Sequence, residues 1–153
     1  MSRRDLIRMT PDEVDAFLHE RQTMNVATYN HDGTIHLVAM WYGFVDGRPV
    51  FETYMKSQKV LNLRRDPRIT CLVEDGDSYE TLRGVELVGT AEVSDDRELV
   101  MTAARSVVER YFAEVDPSDI EAVAEGLAAK RVAITITADR VVSWDHNKLA
   151  GTY

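Results

Sequence analysis

The chain has a single cysteine, Cys71, so it can form no internal disulfide and no cysteine-based zinc site. No apolar run approaches the ~20 residues of a membrane span. No signal-type apolar core follows Met1-Ser2-Arg3-Arg4-Asp5. Positive charge is scarce: 18 Lys and Arg stand against 26 Asp and Glu, a net charge of −8. That balance argues against a nucleic-acid partner but leaves room for a local basic pocket. There is no Gly-rich phosphate loop, no dinucleotide fingerprint and no Gly-x-Ser-x-Gly elbow. Repeats, low-complexity stretches and linkers are also missing. What remains is 153 residues, 44% hydrophobic and 29% charged, enough for one core without a covalent staple. The expectation is a cytoplasmic protein of one domain, 1–153, with no membrane partner.

Thr10-Pro11 with Glu13 three residues after the threonine is a capping box, and Val14, Phe17 and Leu18 share one face of the helix it opens. The period then becomes strand-like. Strands are expected over Met24 to Tyr29, Thr34 to Val45 and Pro49 to Tyr54, joined by turns at Asp32-Gly33 and Asp46-Gly47 as an antiparallel meander. Lys56 to Arg65 reads as a helix stopped by Asp66-Pro67. Further strands are expected at Ile69 to Glu74 and Gly84 to Val93, then a helix from a Ser94 cap to about Val115 and another from Asp116-Pro117 to about Ala129. Arg131 to Thr137 alternates like a half-buried strand; Ala138-Asp139 reads as a turn before a last strand to Asp145. About seven strands with helices inserted give an α+β, mainly β fold: an antiparallel sheet curled into a small barrel.

One segment carries chemistry: Thr53-Tyr54-Met55-Lys56-Ser57-Gln58-Lys59, running on to Asn62, where a strand ends and a helix begins. The first turn of a helix has free N–H groups and a partial positive charge, which suits an anion. Lys56 and Lys59 reach one side of that turn, Ser57 adds a hydroxyl and Asn62 an amide. Together they suit the phosphate of a small molecule; as residue types alone they also suit a solvated basic helix. Val38, Met40 and Trp41 on the neighbouring strand read either as a wall for a flat ring system or as barrel core.

Asp32-Gly33 followed by His36 to Tyr42, then Lys56 through Arg68, Gly84 to Ala91 and Ser143 to Leu149, resembles the flavin/deazaflavin oxidoreductases of the pyridoxamine 5′-phosphate oxidase-like split β-barrel superfamily. The actinobacterial branch that uses the deazaflavin F420 is the nearest in resemblance. The resemblance implies a split antiparallel β-barrel with peripheral helices, FMN-binding-like, working as a homodimer with its cofactor between two barrels. It implies that Lys56, Ser57, Lys59 and Asn62 hold the cofactor phosphate, and that Thr53, Tyr54 and Met55 run along the ring or ribityl chain. Val38, Met40 and Trp41 would face the ring, and Tyr79, Leu82, Trp144 and Lys148 would line the cleft from the other subunit.

The implied activity is hydride transfer from reduced F420 to a small conjugated acceptor such as a quinone, an enone or a tetrapyrrole. Alternatives are a carrier of F420, FMN or haem without turnover, and an FMN-dependent oxidase of the pyridoxamine-phosphate type. Arg64, Arg65 and Arg68 are candidates for the acidic tail of F420, or plain surface charge. Tyr42 and Tyr79 are candidate proton donors, and no catalytic acid is assigned. No metal is expected: His31, Asp32 and His36 are explained by turn polarity. Cys71 reads as core filler.

Overall fold

The Ser2 hydroxyl accepts from the Asp5 N–H at 3.3 Å while the Asp5 carboxylate accepts from the Ser2 N–H at 2.9 Å, and a short helix, α1 (Arg3–Ile7), follows. Five residues carry no readable periodicity, so sequence reading gives no helix there. The computed structural model describes residues 1–20 and 23–150; Gly151 to Tyr153, the end of the expected tail, lie outside them. The Thr10–Glu13 capping box forms as expected, with bonds of 2.7 and 3.2 Å, and opens α2 (Pro11–Glu20), which buries Phe17 and Leu18.

Seven strands follow: β1 (Met24–Tyr29), β2 (Ile35–Met40), β3 (Gly43–Val45), β4 (Arg48–Tyr54), β5 (Arg68–Asp75), β6 (Arg83–Ser94) and β7 (Arg131–Asp145). They form one sheet in the order β2-β1-β5-β6-β7-β4-β3, antiparallel at every pairing. β2 and β3 sit at opposite edges of that order, yet only Trp41 and Tyr42 separate them in sequence. The two edges must therefore lie close together, which curls the sheet into a split barrel. Its interior holds Met24, Val26, Phe51, Cys71, Val85 and Ile134, and α3 (Gln58–Arg65) adds Val60 and Leu63 to the same cluster. A second cluster lies outside β4 and β7, where α4 (Arg97–Tyr111) and α5 (Ile120–Ala128) pack Val100, Ala104 and Ala124 on Val50 and Ala133.

Three expectations about the chain path need correction. Thr34 to Val45 is not one strand of a meander. It breaks at Trp41-Tyr42, so β1–β2 and β3–β4 are hairpins at opposite edges. Arg110 holds that corner: its guanidinium donates to the carbonyls of Tyr42 at 2.9 Å and His19 at 3.0 Å and lies over the Tyr42 and Phe44 rings. Ala138-Asp139 is not a turn. β7 runs straight through it with Asp139 as the extra residue of a bulge opposite Val88/Gly89. The cap of α4 is Asp96, whose carboxylate accepts from the Leu99 N–H at 2.9 Å; Ser94 still belongs to β6.

Candidate functional site

Lys59 occupies the first turn of α3, at the end of the barrel where β4 finishes. The helix is amphipathic, and Lys59 falls on its buried side with Val60, Asn62 and Leu63. Its ammonium donates to the Thr53 hydroxyl at 3.0 Å, and among the described residues it pairs with no carboxylate. Burial pushes its pKa down, and the nearby Arg131 guanidinium pushes it further the same way. A buried cation without a counter-charge is costly to keep.

Around it the cradle takes shape. Ser57 caps α3 in extended geometry with no side-chain bond to the helix; its Oγ lies 3.5 Å from the Thr53 Oγ1. Lys56 is exposed just before it, and so are Tyr54 and Met55. Thr53, Ser57 and Lys59 are thus brought together, with the exposed Lys56 adjacent in sequence.

Asn62 is placed differently from the expectation of a phosphate donor. It is fully buried, and its amide donates to the Thr28 hydroxyl and the Asn30 side chain at 3.0 Å each. Its oxygen accepts from Gln58 at 2.8 Å and Arg65 at 3.1 Å. Asn62 therefore fastens α3 to β1 and the turn after it, and has no bonding capacity left for a ligand. Arg65 also donates to the Tyr29 carbonyl at 2.7 Å. Arg68 is held by Asp66 at 2.7 Å and lies over the Tyr29 ring, and that ion pair holds the Asp66 carboxyl down at about 2. Of the three candidate tail-binding arginines, Arg64 alone has no bonded partner among the described residues.

The expected ring wall divides. Val38 and Met40 are half-buried and pack against the barrel interior. The outward side of β2 shows Ile35, Leu37 and Ala39 instead. Trp41 is half exposed and stacks on Tyr111 with centroids 4.6 Å apart. Tyr42 is fully buried and donates its hydroxyl to the Leu18 carbonyl at 2.5 Å, so it presents no proton to solvent.

Tyr79, Leu82, Trp144 and Lys148 lie elsewhere. Trp144 lies near the end of β7, over Gly84, whereas Arg131 opens that strand beside Lys59, roughly 40 Å away along it at about 3.3 Å per residue. Tyr79 packs edge-on against His146, and Lys148 donates to the Arg8 carbonyl at 2.9 Å and to Glu13 at 2.5 Å. Within the chain itself none of the four reaches the α3 turn.

Sequence reading missed Glu52 and Arg131. They form an ion pair at 2.9 Å, and the guanidinium lies 4.6 Å over the Tyr54 ring. Burial raises the Glu52 pKa against the pull of Arg131. The two are far apart in sequence, and only the β4–β7 register, with Tyr54 opposite Arg131, brings them together. Cys71 is buried and its thiol is pushed up to about 12, as core filler would be. Among the described residues no group of three or more His, Cys, Asp or Glu could hold a metal ion. No described helix is long and apolar enough to cross a membrane.

Residues 10–145 match the family model described as pyridoxamine 5′-phosphate oxidase. A conserved hypothetical protein of Mycobacterium tuberculosis is similar in structure, with 43% identity and a TM-score of 0.90 over 98% of this chain and 93% of that one. A structure described as an F420 reductase shares the fold at 24% identity, TM-score 0.62, covering 83% of this chain and 94% of that one. So does a haem storage protein of Vibrio cholerae at 14% identity, TM-score 0.68, covering 87% and 94%. No curated protein matches the chain.

Proposed function

The chain belongs to the pyridoxamine 5′-phosphate oxidase family, and from that premise we propose that it is an F420-dependent oxidoreductase acting on a small conjugated acceptor. The observation that carries the reading is Lys59: a buried ammonium, held on Thr53 and facing no carboxylate among the described residues, in the first turn of a helix. Such a group fits the phosphate end of a flavin or deazaflavin.

When bound, reduced F420 supplies a hydride from a ring carbon. The protein has to bind, orient and exclude water. Lys59, the Ser57 hydroxyl, the free N–H groups of α3 and the exposed Lys56 receive the phosphate. Thr53 fixes the Lys59 ammonium. Tyr54, held under Arg131, and the exposed Met55 and Trp41 offer apolar area to a ring and keep water off it.

We also assign a homodimer. The outer side of the sheet leaves Tyr29, Ile35 and Leu37 exposed in neighbouring strands, an apolar area suited to burial by a second copy. A second protomer is also the route by which Tyr79, Leu82, Trp144 and Lys148 can reach the cleft, since their own protomer keeps them at the far end of β7.

A second reading, a carrier that binds F420, FMN or haem without turnover, is favoured by one fact. Tyr42 is sealed and Tyr79 is remote, so neither candidate brings a proton to the cradle of its own protomer. The test is to titrate the protein with F420 and with FMN by fluorescence, then mix it with reduced F420 and a panel of quinones and enones. Return of the deazaflavin absorbance supports the enzyme. Binding without turnover supports the carrier, and FMN binding without F420 binding moves the protein to the flavin branch.

A further inference from the structure

Val141 stands opposite Leu87 in the β6–β7 register, so both face the barrel interior. Leu87 is 4% exposed, yet Val141 is 48% exposed. An inward-facing valine open to solvent marks a place where the barrel is not filled. A hollow of about 630 Å³ lies there, between α2 and the β3–β4 turn, walled by Met9, Val14, Leu18, Leu87, Ile136 and Val141. That volume is in the range of small-molecule sites, ~300–1,000 Å³. The turn leaves its mouth clear: Asp46 and Gly47 take φ of 50° and 76°, and a Cβ built on Gly47 meets nothing within 4 Å.

Three charges stand at the rim: Arg8, Asp15 and Arg48. Arg8 is 3.4 Å from Asp5, and Asp15 is 3.5 Å from His19. Arg48 has only the Thr137 hydroxyl, at 3.4 Å, and no carboxylate among the described residues. The rim therefore keeps one uncommitted guanidinium beside an apolar hollow, in a chain whose net charge is −8. A guanidinium matches a carboxylate with two parallel donors.

We propose that this hollow is a second binding site, distinct from the α3 cradle, for a free organic anion with an apolar body. A medium-chain carboxylate fits: its chain lies against Leu87, Ile136 and Val141, and its head meets Arg48. Arg48 opens β4 and Tyr54 closes it, so the two sites stand roughly 20 Å apart along the strand.

Calorimetric titration with decanoate, decanol and decylamine tests the site. Decanoate is expected to bind one per chain, and decylamine to bind at least about tenfold more weakly. Arg48→Gln should weaken decanoate about tenfold and leave decanol unchanged. Val141→Trp, which fills the hollow from a half-exposed position, should abolish binding of all three. Thermal melts check that both variants fold, and Arg48→Gln carries the test alone should Val141→Trp not fold. No binding of decanoate at millimolar concentration, equal affinity for decanoate and decylamine, or decanoate binding untouched in the folded variants overturns the proposal. F420 and FMN titrations of the same variants should be unchanged, which separates failure of this site from failure of the cradle.

Discussion

The Lys59 ammonium rests on the Thr53 hydroxyl at 3.0 Å in a buried end of the barrel, and among the described residues nothing acidic answers it. The pair links the turn of α3 to the last residues of β4, so the cation is both fixed in place and costly to keep there.

Lys59→Met should therefore do opposite things to stability and to binding. The apoprotein should gain about 1 kcal/mol, roughly 3 °C in melting temperature, because a buried charge is replaced by an apolar chain of similar length. Cofactor affinity should fall by about 2 kcal/mol, roughly thirtyfold, with little change in the rate at saturation. The pH dependence has a definite sign. The folded pKa lies below the ordinary 10.5, so the unfolded chain holds the extra proton between the two values. The penalty is full below the folded pKa and fades as pH rises through it, so the advantage of Lys59→Met should shrink in alkaline buffer. Melts across pH 7 to 10 and fluorescence titrations measure both; a variant that is less stable and binds as well as the parent contradicts the cradle.

Asn62→Asp keeps the shape and removes both donors. The new oxygen would face the Asn30 oxygen and the Thr28 hydroxyl where an amide now donates at 3.0 Å. The expected loss is about 3 kcal/mol, since the site is fully buried and its partners lose their donor. The midpoint of denaturant unfolding measures it. A near-neutral change would mean that α3 is not fastened through this side chain.

How much of this could be read beforehand depends on how local each cause is. The Thr10–Glu13 box needs residues three apart, and it was legible. So was the turn at Lys56 to Lys59, because a strand stop and a helix start are local signals. The break at Trp41-Tyr42 was not. Its residues read as one apolar strand, and the corner is held by Arg110 from α4. Asp139 looked like a turn because bulges carry turn-like residues, and only continued pairing with β6 shows that the strand goes on. The reading of Asn62 as a ligand donor had the right residue type and the wrong direction: its partners on β1 and in the turn after it are more than thirty residues away.

Leu37→Glu tests the proposed homodimer. Leu37 is 67% exposed on the outer side of β2, opposite Ala27. A charge there has no structural cost in the single protomer and would be buried against an apolar surface in a dimer. Light scattering after size exclusion should give a dimer for the parent and a monomer for the variant, with cofactor affinity falling together with dimerisation. A parent that is monomeric at micromolar concentration removes the second subunit from the cleft.

Glu52 and Arg131 give the clearest pH signature. The Glu52 side chain is 5% exposed and that of Arg131 22%, so the pair is largely withdrawn from water. Arg131→Met leaves the carboxylate buried and alone, which should cost about 3 kcal/mol near neutral pH. Burial already raises the Glu52 pKa above the ordinary 4.5, and losing Arg131 removes two influences that lower it, charge and hydrogen bond. For an acid raised in the folded state, the folded protein holds the extra proton in the window above 4.5, so stability falls as pH rises through that window. In the variant the window is wider. Its deficit should be small near pH 4, where Glu52 is protonated in both chains, and should grow toward neutrality. Adding Glu52→Gln to Arg131→Met should recover most of the loss at pH 7, because no charge is then left without a partner. Parallel stability profiles for parent and variant from pH 4 to 7, or no recovery in the double variant, would show that the two side chains do not form a coupled pair.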